Sequence, residues 1–387
     1  MAPDEVETLV TVPLETAVNG ASGVERVRSM SGIGLSLIFV EFGWDTDIYR
    51  ARQIVGEKVA EVTPRLPENI RPFLGPAVMV GLVVLFGALY PDTFLTKTNL
   101  VNNVLGQVTF LAVVASVQTV VMVVGEFDLS VSGLAALASV TTGALIATRT
   151  VSGDPAVPGP VLWAVLLGLA VGLLGGLLNG VLVSYVGVLA FIATLGMSVV
   201  YDNVALRRVD GKPVYGLVRE NFVDLVQGEW WGVPKSIYYA AAVALAVWFL
   251  LDRTTLGRRM YSVGGNIDAA RYSGIDVRRV KLAAFAIAGV GAAFAGIMQS
   301  AYNETANTSA AGNWMLMSIA GVFLGMAMFR DGRPNLPGTI LGVILLRLIE
   351  NGLNYTSINN YVQEVILGLA IVIAVIPPAL ARLRQAR

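Results

Sequence analysis

The chain contains neither cysteine nor histidine. Those two absences exclude disulfides, thiolate chemistry, imidazole metal ligands and the commonest general base. Charge is scarce as well: 14% of residues are charged, against about a quarter in soluble domains. Basic and acidic residues balance at 27 each, and no basic cluster is interleaved with aromatics, so nucleic acid is not an expected partner. A phosphate-cradling G-x-x-x-x-G-K-[ST] loop is also missing; Gly211-Lys212-Pro213 lacks the upstream glycine and the hydroxyl. With no nucleophile–base pair in sight, neither an enzyme activity nor a cofactor nor a metal site is expected. The first residues lack the charged, apolar and small-residue succession of a signal peptide, and none is expected.

What the chain has is apolar surface. Hydrophobic residues make up 55% of its 387 positions, and the mean hydropathy is +0.68. Residues 1–76 carry 7 basic and 11 acidic side chains and look soluble. Beyond Pro76 the chain turns almost purely apolar within a few positions. A membrane-crossing helix needs about 20 mostly apolar residues. Such spans are predicted near 75–91, 102–124, 132–148, 161–183, 187–206, 236–252, 281–301, 314–329, 337–355 and 361–381, the first and third being short. The predicted fold is therefore an all-α polytopic membrane protein of about ten transmembrane helices embedded in a lipid bilayer, with a small α+β segment at its N-terminus. Lys and Arg collect in 253–281, at Arg330 and Arg333, and at Arg382, Arg384 and Arg387. By the positive-inside rule these face the cytoplasm, which puts both termini inside. Residues 207–235, with five cations on the opposite side, run against the rule.

Three stretches could carry chemistry. In "TTLGRRMYSVGGNIDAARYSGIDVRRVKL", residues 254–282, Gly264-Gly265 is expected to break the chain and Asn266 to cap a short helix over 267–273. Asp268 favours the positive end of that helix, and Gly274 is a natural C′ residue. A long, basic, internally capped loop is something a soluble partner could grip; an ordinary solvated connection fits the same residues. In "VVGEFDLSVSG", residues 123–133, Glu126 and Asp128 sit between apolar stretches. Carboxylates at bilayer depth face polar cavities, and the flanking Gly and Ser residues would allow a helix break; a plain loop is the alternative. In "RLIENGLNY", residues 347–355, Arg347 and Glu350 are spaced to neutralise each other. Asn351 and Asn354 could line a polar path or bind helices together. Gly175-Gly176 and Gly289, Gly291 and Gly296 are expected to permit close helix packing.

Taken together, these blocks resemble a known family. "GEFDLSVSG" is similar to the Gly-Gly-Ile-Asp-Leu-Ser-Val-Gly-Ser signature of the ribose, xylose and galactoside permeases of bacterial ABC importers. "GRRMYSVGGNIDAARYSGIDVRRVK" resembles their cytoplasmic Gly-Gly-Asn-x-x-Ala-Ala-Arg-x-x-Gly-Ile segment, and "NGVLVSYVGVLAFIATLG" and "GRPNLPGTILGVILLRLIENGLNY" follow in the family's order, so that the similarity spans residues 77–387. The resemblance implies a permease subunit in the bacterial inner membrane that imports a monosaccharide. It implies a cytoplasmic ATP-binding subunit, a periplasmic sugar-binding protein and a second permease copy as partners. Carried over residue by residue, it implies ATPase coupling through Gly264, Gly265, Asn266, Ala269, Ala270, Arg271 and Gly274. It implies a substrate pathway at Asp128, Asn179, Thr194 and Asn351. Several positions depart from the pattern. Glu126-Phe127 stands for Gly-Ile, Leu189-Ala190 for a proline pair, and "MLMSIAGVFLG" lacks an acidic residue often found there. These departures leave the sugar unassigned.

Residues 1–76 resemble something else, a piece of the periplasmic porter region of RND efflux pumps, closest to the heavy-metal branch. They predict helix 3–20, strand 24–30, strand 34–42 and helix 46–63, a ferredoxin-like αββα fragment. Val6, Leu9, Val10, Pro13, Leu14 and Val18 are expected on one helical face, and the second strand is expected to alternate through Leu35, Leu37, Phe39 and Glu41. In the pumps this order is flanked by strands on both sides, so a lone two-stranded sheet is expected to be marginal. Three functions fit the whole: an import permease over residues 77–387, an RND-type metal efflux component, or a permease with an added N-terminal interaction module. The junction at Gly75-Pro76 reads as a fusion of two unrelated segments.

Overall fold

The computed structural model describes residues 3–32, 35–43, 46, 48–67, 75–309, 311–328, 333–356, 359, 361–363, 365–366 and 368–369. The chain divides into two compact units, Met1–Gly75 and Pro76–Arg387.

The first unit opens with a continuous helix made of α1 (Pro3–Val6), a π-helical turn (Glu7–Thr11) and α2 (Val12–Asn19). An i→i+5 turn widens the helical repeat, so the buried apolar side chains fall at every fourth residue: Val6, Val10, Leu14 and Val18. Leu9, expected on this face, is 47% exposed instead. Strands β1 (Val24–Gly32) and β2 (Leu35–Phe42) pair antiparallel, with Val27 opposite Val40 and Ser29 opposite Ile38. Of the alternating set, Phe39 and Glu41 are exposed; both faces of this strand are apolar, and hydropathy alone does not fix which is inward. Ile38 packs against the core while Phe39 is 57% exposed. Buried Thr11 joins helix to sheet through the hydroxyls of Ser31 (2.9 Å) and Ser36 (2.8 Å). Helix α3 (Ile48–Val62) supplies Val59 and Val62 to the same small core.

The second unit is built of α4 (Gly75–Leu89), α5 (Gly106–Val123), α6 (Val131–Ile146), α7 (Val161–Val181) and α8 (Ala190–Arg208). A one-turn α9 (Asp224–Val226) and a two-residue hairpin, β3 (Glu229–Trp230) and β4 (Val233–Pro234), follow. The chain continues through α10 (Lys235–Arg253), α11 (Thr255–Gly265), α12 (Ile267–Tyr272), α13 (Val277–Tyr302), α14 (Trp314–Met328) and α15 (Leu336–Asn354). A π-helical run, Thr98–Leu105, leads directly into α5. Among the described residues, five helices are long and apolar enough to cross a membrane: Thr98–Val123, Val161–Val186, Lys235–Arg253, Val277–Tyr302 and Leu336–Asn354. Helices α4 and α6, which correspond to the two short predicted spans, have 15 and 16 residues. The predicted span 361–381 lies largely outside the described residues.

Helices α5 and α13 form the hub. Almost every side chain of α5 is buried, and α13 packs on α5, α6 and α7. Glycine permits the closest crossings. A Cβ on Gly172 or Gly176 of α7 would collide with the α13 backbone at Gly289 or Phe285, and one on Gly296 with the α6 carbonyl of Ala135. Side chains here would hold the backbones apart, and van der Waals contact between them is what stabilises helix pairs where lipid replaces water.

The connections fall at two ends. At one, the α5–α6 segment meets α11 and α8, where Leu129 N–H donates to Thr194 Oγ1 at 3.0 Å, and Tyr261 of α11 donates to Pro334 O just before α15 at 3.1 Å. At the other, Thr148 N–H donates to Gly216 O at 2.9 Å, and Val214 and Ala306 exchange backbone bonds of 2.9 and 3.0 Å.

Candidate functional site

The basic loop builds its own shape from local rules. Thr254 caps α11 by accepting from Gly257 N–H at 3.1 Å. The break does not come at Gly264-Gly265, as expected, but one residue later. The two glycines close the last turn of α11, and Asn266 takes an extended conformation, φ −157°. Its Oδ1 accepts from Asp268 N–H at 3.0 Å and Ala269 N–H at 2.9 Å, satisfying two orphan donors of α12. Gly274, at φ +78°, ends the turn, with Gly274 N–H donating to Arg271 O and Ile275 N–H to Ala270 O. Ala270 alone faces the protein among the candidate residues of α12; Ala269, Arg271 and Tyr272 are exposed. Arg271 pairs with Asp268 at 3.3 Å in the open, a contact of small energetic weight.

The glycine pair is not uniform. A Cβ on Gly265 would meet nothing within 4 Å, whereas one on Gly264 would collide with the Val123 carbonyl oxygen and stand 3.2 Å from Gly125 N. Helix α11 thus rests, backbone on backbone, against the end of α5 and the start of the "GEFDLS" segment. Glu126 of that segment forms a mostly buried ion pair with Lys281 near the start of α13.

From Glu126 to Ser130 the chain is neither helix nor strand, so a helix break separates α5 from α6. Asp128 is fully buried at its centre. Its Oδ1 accepts from Ser130 N–H (2.8 Å) and Ser130 Oγ (2.6 Å), which fixes the turn just ahead of α6. Ser130 Oγ in turn accepts from Asn179 Nδ2 at 2.6 Å. Asn179 Oδ1 accepts from Tyr201 OH at 3.3 Å, and the same hydroxyl donates to Gly175 O at 2.9 Å. The Gln118 amide, oriented to satisfy both its groups, donates to Asp128 O at 3.1 Å and accepts from Asp128 N–H at 3.3 Å. Thr194 Oγ1 accepts from Leu129 N–H and donates to Ala190 O at 2.7 Å. The result is a buried network joining α5, α6, α7 and α8. Asp128 Oδ2 alone has no partner.

Asn351 lies elsewhere. Its amide pairs reciprocally with that of Asn99, at 2.9 and 3.0 Å, tying the C-terminal end of α15 to the π-helical run. Beside them is a cavity of about 270 Å³ lined by Asn103, Gln107 and Asn354, by Tyr355, and by the ion-paired Arg347 and Glu350.

The family model described as "Branched-chain amino acid transport system / permease component" matches residues 100–375. The chain belongs to this permease family. The permease is 36% identical to the ribose import permease of Bacillus subtilis (strain 168), over 80% of this chain and 92% of the relative. It is 33% identical to the D-allose transport system permease of Escherichia coli (strain K12), over 77% and 88%. It is 32% identical to the galactose/methyl galactoside import permease of Haemophilus influenzae, over 77% and 92%. A second model, the AcrB/AcrD/AcrF family, matches residues 1–128. No solved structure matches the chain.

In the permease, Gly264, Gly265, Asn266, Ala269, Ala270, Arg271 and Gly274 form one continuous turn–helix–turn. Asp128, Asn179 and Thr194 come together in the buried network, and Asn351 does not join them. Ser130 stands among the Gly and Ser residues expected at the helix break, and three further partners are not evident from the sequence: Gln118 and Tyr201 in the network, and Lys281 opposite Glu126. The amides of Asn99, Asn103 and Gln107, repeating every fourth residue ahead of an apolar helix, were the signal for the cavity.

Proposed function

We propose that the chain is the membrane-spanning subunit of an ATP-driven importer of a monosaccharide in the bacterial inner membrane. Helix α12 is the grip for a cytoplasmic ATP-binding subunit on a separate chain. One observation carries this reading: the exposed, doubly capped α12 follows α11 across the single residue Asn266, and α11 rests through Gly264 on Val123 and Gly125 at the α5–α6 break. A push on α12 passed through α11 therefore arrives at the segment that carries the buried Asp128–Ser130–Asn179 network. The import names of the ribose, allose and galactoside relatives supply the substrate class and the direction. Ten spans with both termini cytoplasmic, a second permease copy across the pore, and delivery by a periplasmic sugar-binding protein complete the proposal.

The AcrB/AcrD/AcrF match favours a second reading for residues 1–76, a porter-like, ferredoxin-type αββα module added to the permease at residue 76. Efflux itself draws support from this match alone.

Because Gly265 has open space around it and Arg271 is exposed, Gly265→Leu and Arg271→Glu should leave the fold intact while spoiling the surface. The detergent-solubilised wild-type chain is expected to retain an ATP-binding subunit from its native membranes, and the double variant to lose it. An ATPase that stays bound to the double variant would sink the coupling assignment. In the same pull-down a chain lacking residues 1–76 is expected to retain the ATPase; its loss would make the first unit part of that contact.

A further inference from the structure

Polar groups on an apolar helix face water, protein or a ligand, since lipid offers them no partners. On the run leading into α5, Asn99, Asn103 and Gln107 recur every fourth residue and so share one face. On α15, Arg347, Glu350, Asn351 and Asn354 do the same. The two faces meet across the cavity of about 270 Å³, just under the roughly 300–1,000 Å³ of drug-sized pockets. That volume suits a small molecule.

Its position is informative. Pro334, just before α15, accepts from Tyr261 of the coupling loop, and Asn351 lies sixteen residues beyond the cap residue Asn335, roughly 24 Å along the helix. Val123, at the far end of the α5 run, touches Gly264. The cavity therefore lies at the end of the unit opposite α12.

Its chemistry is specific too. Arg347 and Glu350 neutralise each other, so the lining offers no net charge to a charged ligand. Arg347 Nε is buried without a partner and remains a free donor. Amides donate and accept at once, as hydroxyls do. Tyr355 adds an aromatic surface, held in place by Tyr90 at 5.5 Å and Phe94 at 6.0 Å between ring centroids.

We infer that this cavity is a binding site for a neutral polyhydroxylated molecule the size of a monosaccharide, the first station of the pathway on the side away from the ATPase. The inference rests on the import function proposed above and names a site for it. Amides and the spare Arg347 donor bind the hydroxyls, and Tyr355 packs against the apolar face of the ring.

The absence of native cysteine makes the test direct. Asn354→Cys and, separately, Gln107→Cys introduce a thiol at exposed lining positions. Val157→Cys, in the 96%-exposed connection at the same end, is the control. Cells expressing each are treated with a membrane-impermeant maleimide, alone or with D-ribose, D-allose, D-galactose or leucine. All three thiols are expected to react from outside. One of the sugars should slow labelling of the Asn354→Cys and Gln107→Cys chains by about tenfold at a concentration about ten times its dissociation constant, and leave the control unchanged. No protection by any of the three sugars, in cells that still accumulate one of them, would overturn the site while leaving the import function standing. Unreactive thiols in both lining variants beside a reactive control would show the cavity covered by lipid or a second copy, and would also overturn the site. Protection by leucine, with leucine alone accumulated, would overturn both.

Discussion

Replacing Gly264 with alanine is expected to abolish sugar uptake, whereas the same change at the neighbouring Gly265 leaves uptake near the wild-type rate. Added at Gly264, one methyl group meets the Val123 carbonyl oxygen, part of a backbone held by the fully buried α5. Backbone cannot swing aside as a side chain can, so α11 must lift off the α5–α6 break. Overpacking of this kind costs about 1–3 kcal/mol, enough to lower the melting temperature in detergent measurably without unfolding the bundle. The larger consequence is mechanical, because the displaced contact is the one through which α12 would act on the pore. At Gly265 the same methyl projects into open space and adds helix propensity to the last turn of α11. Equal uptake by the two variants would show that α11 does not transmit through this contact.

The second large effect falls on Asp128. Asp128→Ala removes the acceptor of both Ser130 N–H and Ser130 Oγ. Each buried donor left unpaired costs about 1–3 kcal/mol, and Ser130 would also lose its hold on Asn179. Asp128→Asn keeps an oxygen at the Oδ1 position and spares the site a buried charge, whose Oδ2 has no partner to offset its desolvation. Uptake and thermal stability are therefore expected to collapse in the alanine variant and to be largely retained in the asparagine variant. Equal loss in both would mean that the carboxylate charge itself works in transport, and that holding the turn ahead of α6 is secondary.

Local rules made part of this legible from the sequence. Asn266 and Gly274 announce α12 because a cap acts within three residues of itself, and long apolar runs announce spans whatever they pack against. Helix α11 is not among the expected elements, because Arg258 and Arg259 mark only its solvated side. Its buried side, Gly257, Met260 and Val263 at spacings of three, is the helical signal that was there to read. In the first unit the exposed Leu9 departs from expectation, and the outward Phe39 is not fixed by the sequence, for the same kind of reason. A π-turn changes the helical repeat without a sequence mark, and a strand apolar on both faces does not declare its inward one. Pairings across the chain were not legible at all: Ser130 meets Asn179 across 49 positions, and Asn99 meets Asn351 across 252. Composition identifies such residues as costly to bury, but only packing decides which of them share a site.

The most direct measurement is accumulation of labelled solute in native cells lacking the chain and complemented with the full-length protein. Energy-dependent accumulation of D-ribose, D-allose or D-galactose, uninhibited by excess leucine and lost in the Gly264→Ala variant, is the predicted result. Complemented cells that accumulate leucine and none of the sugars, or that extrude a metal ion instead, would contradict it.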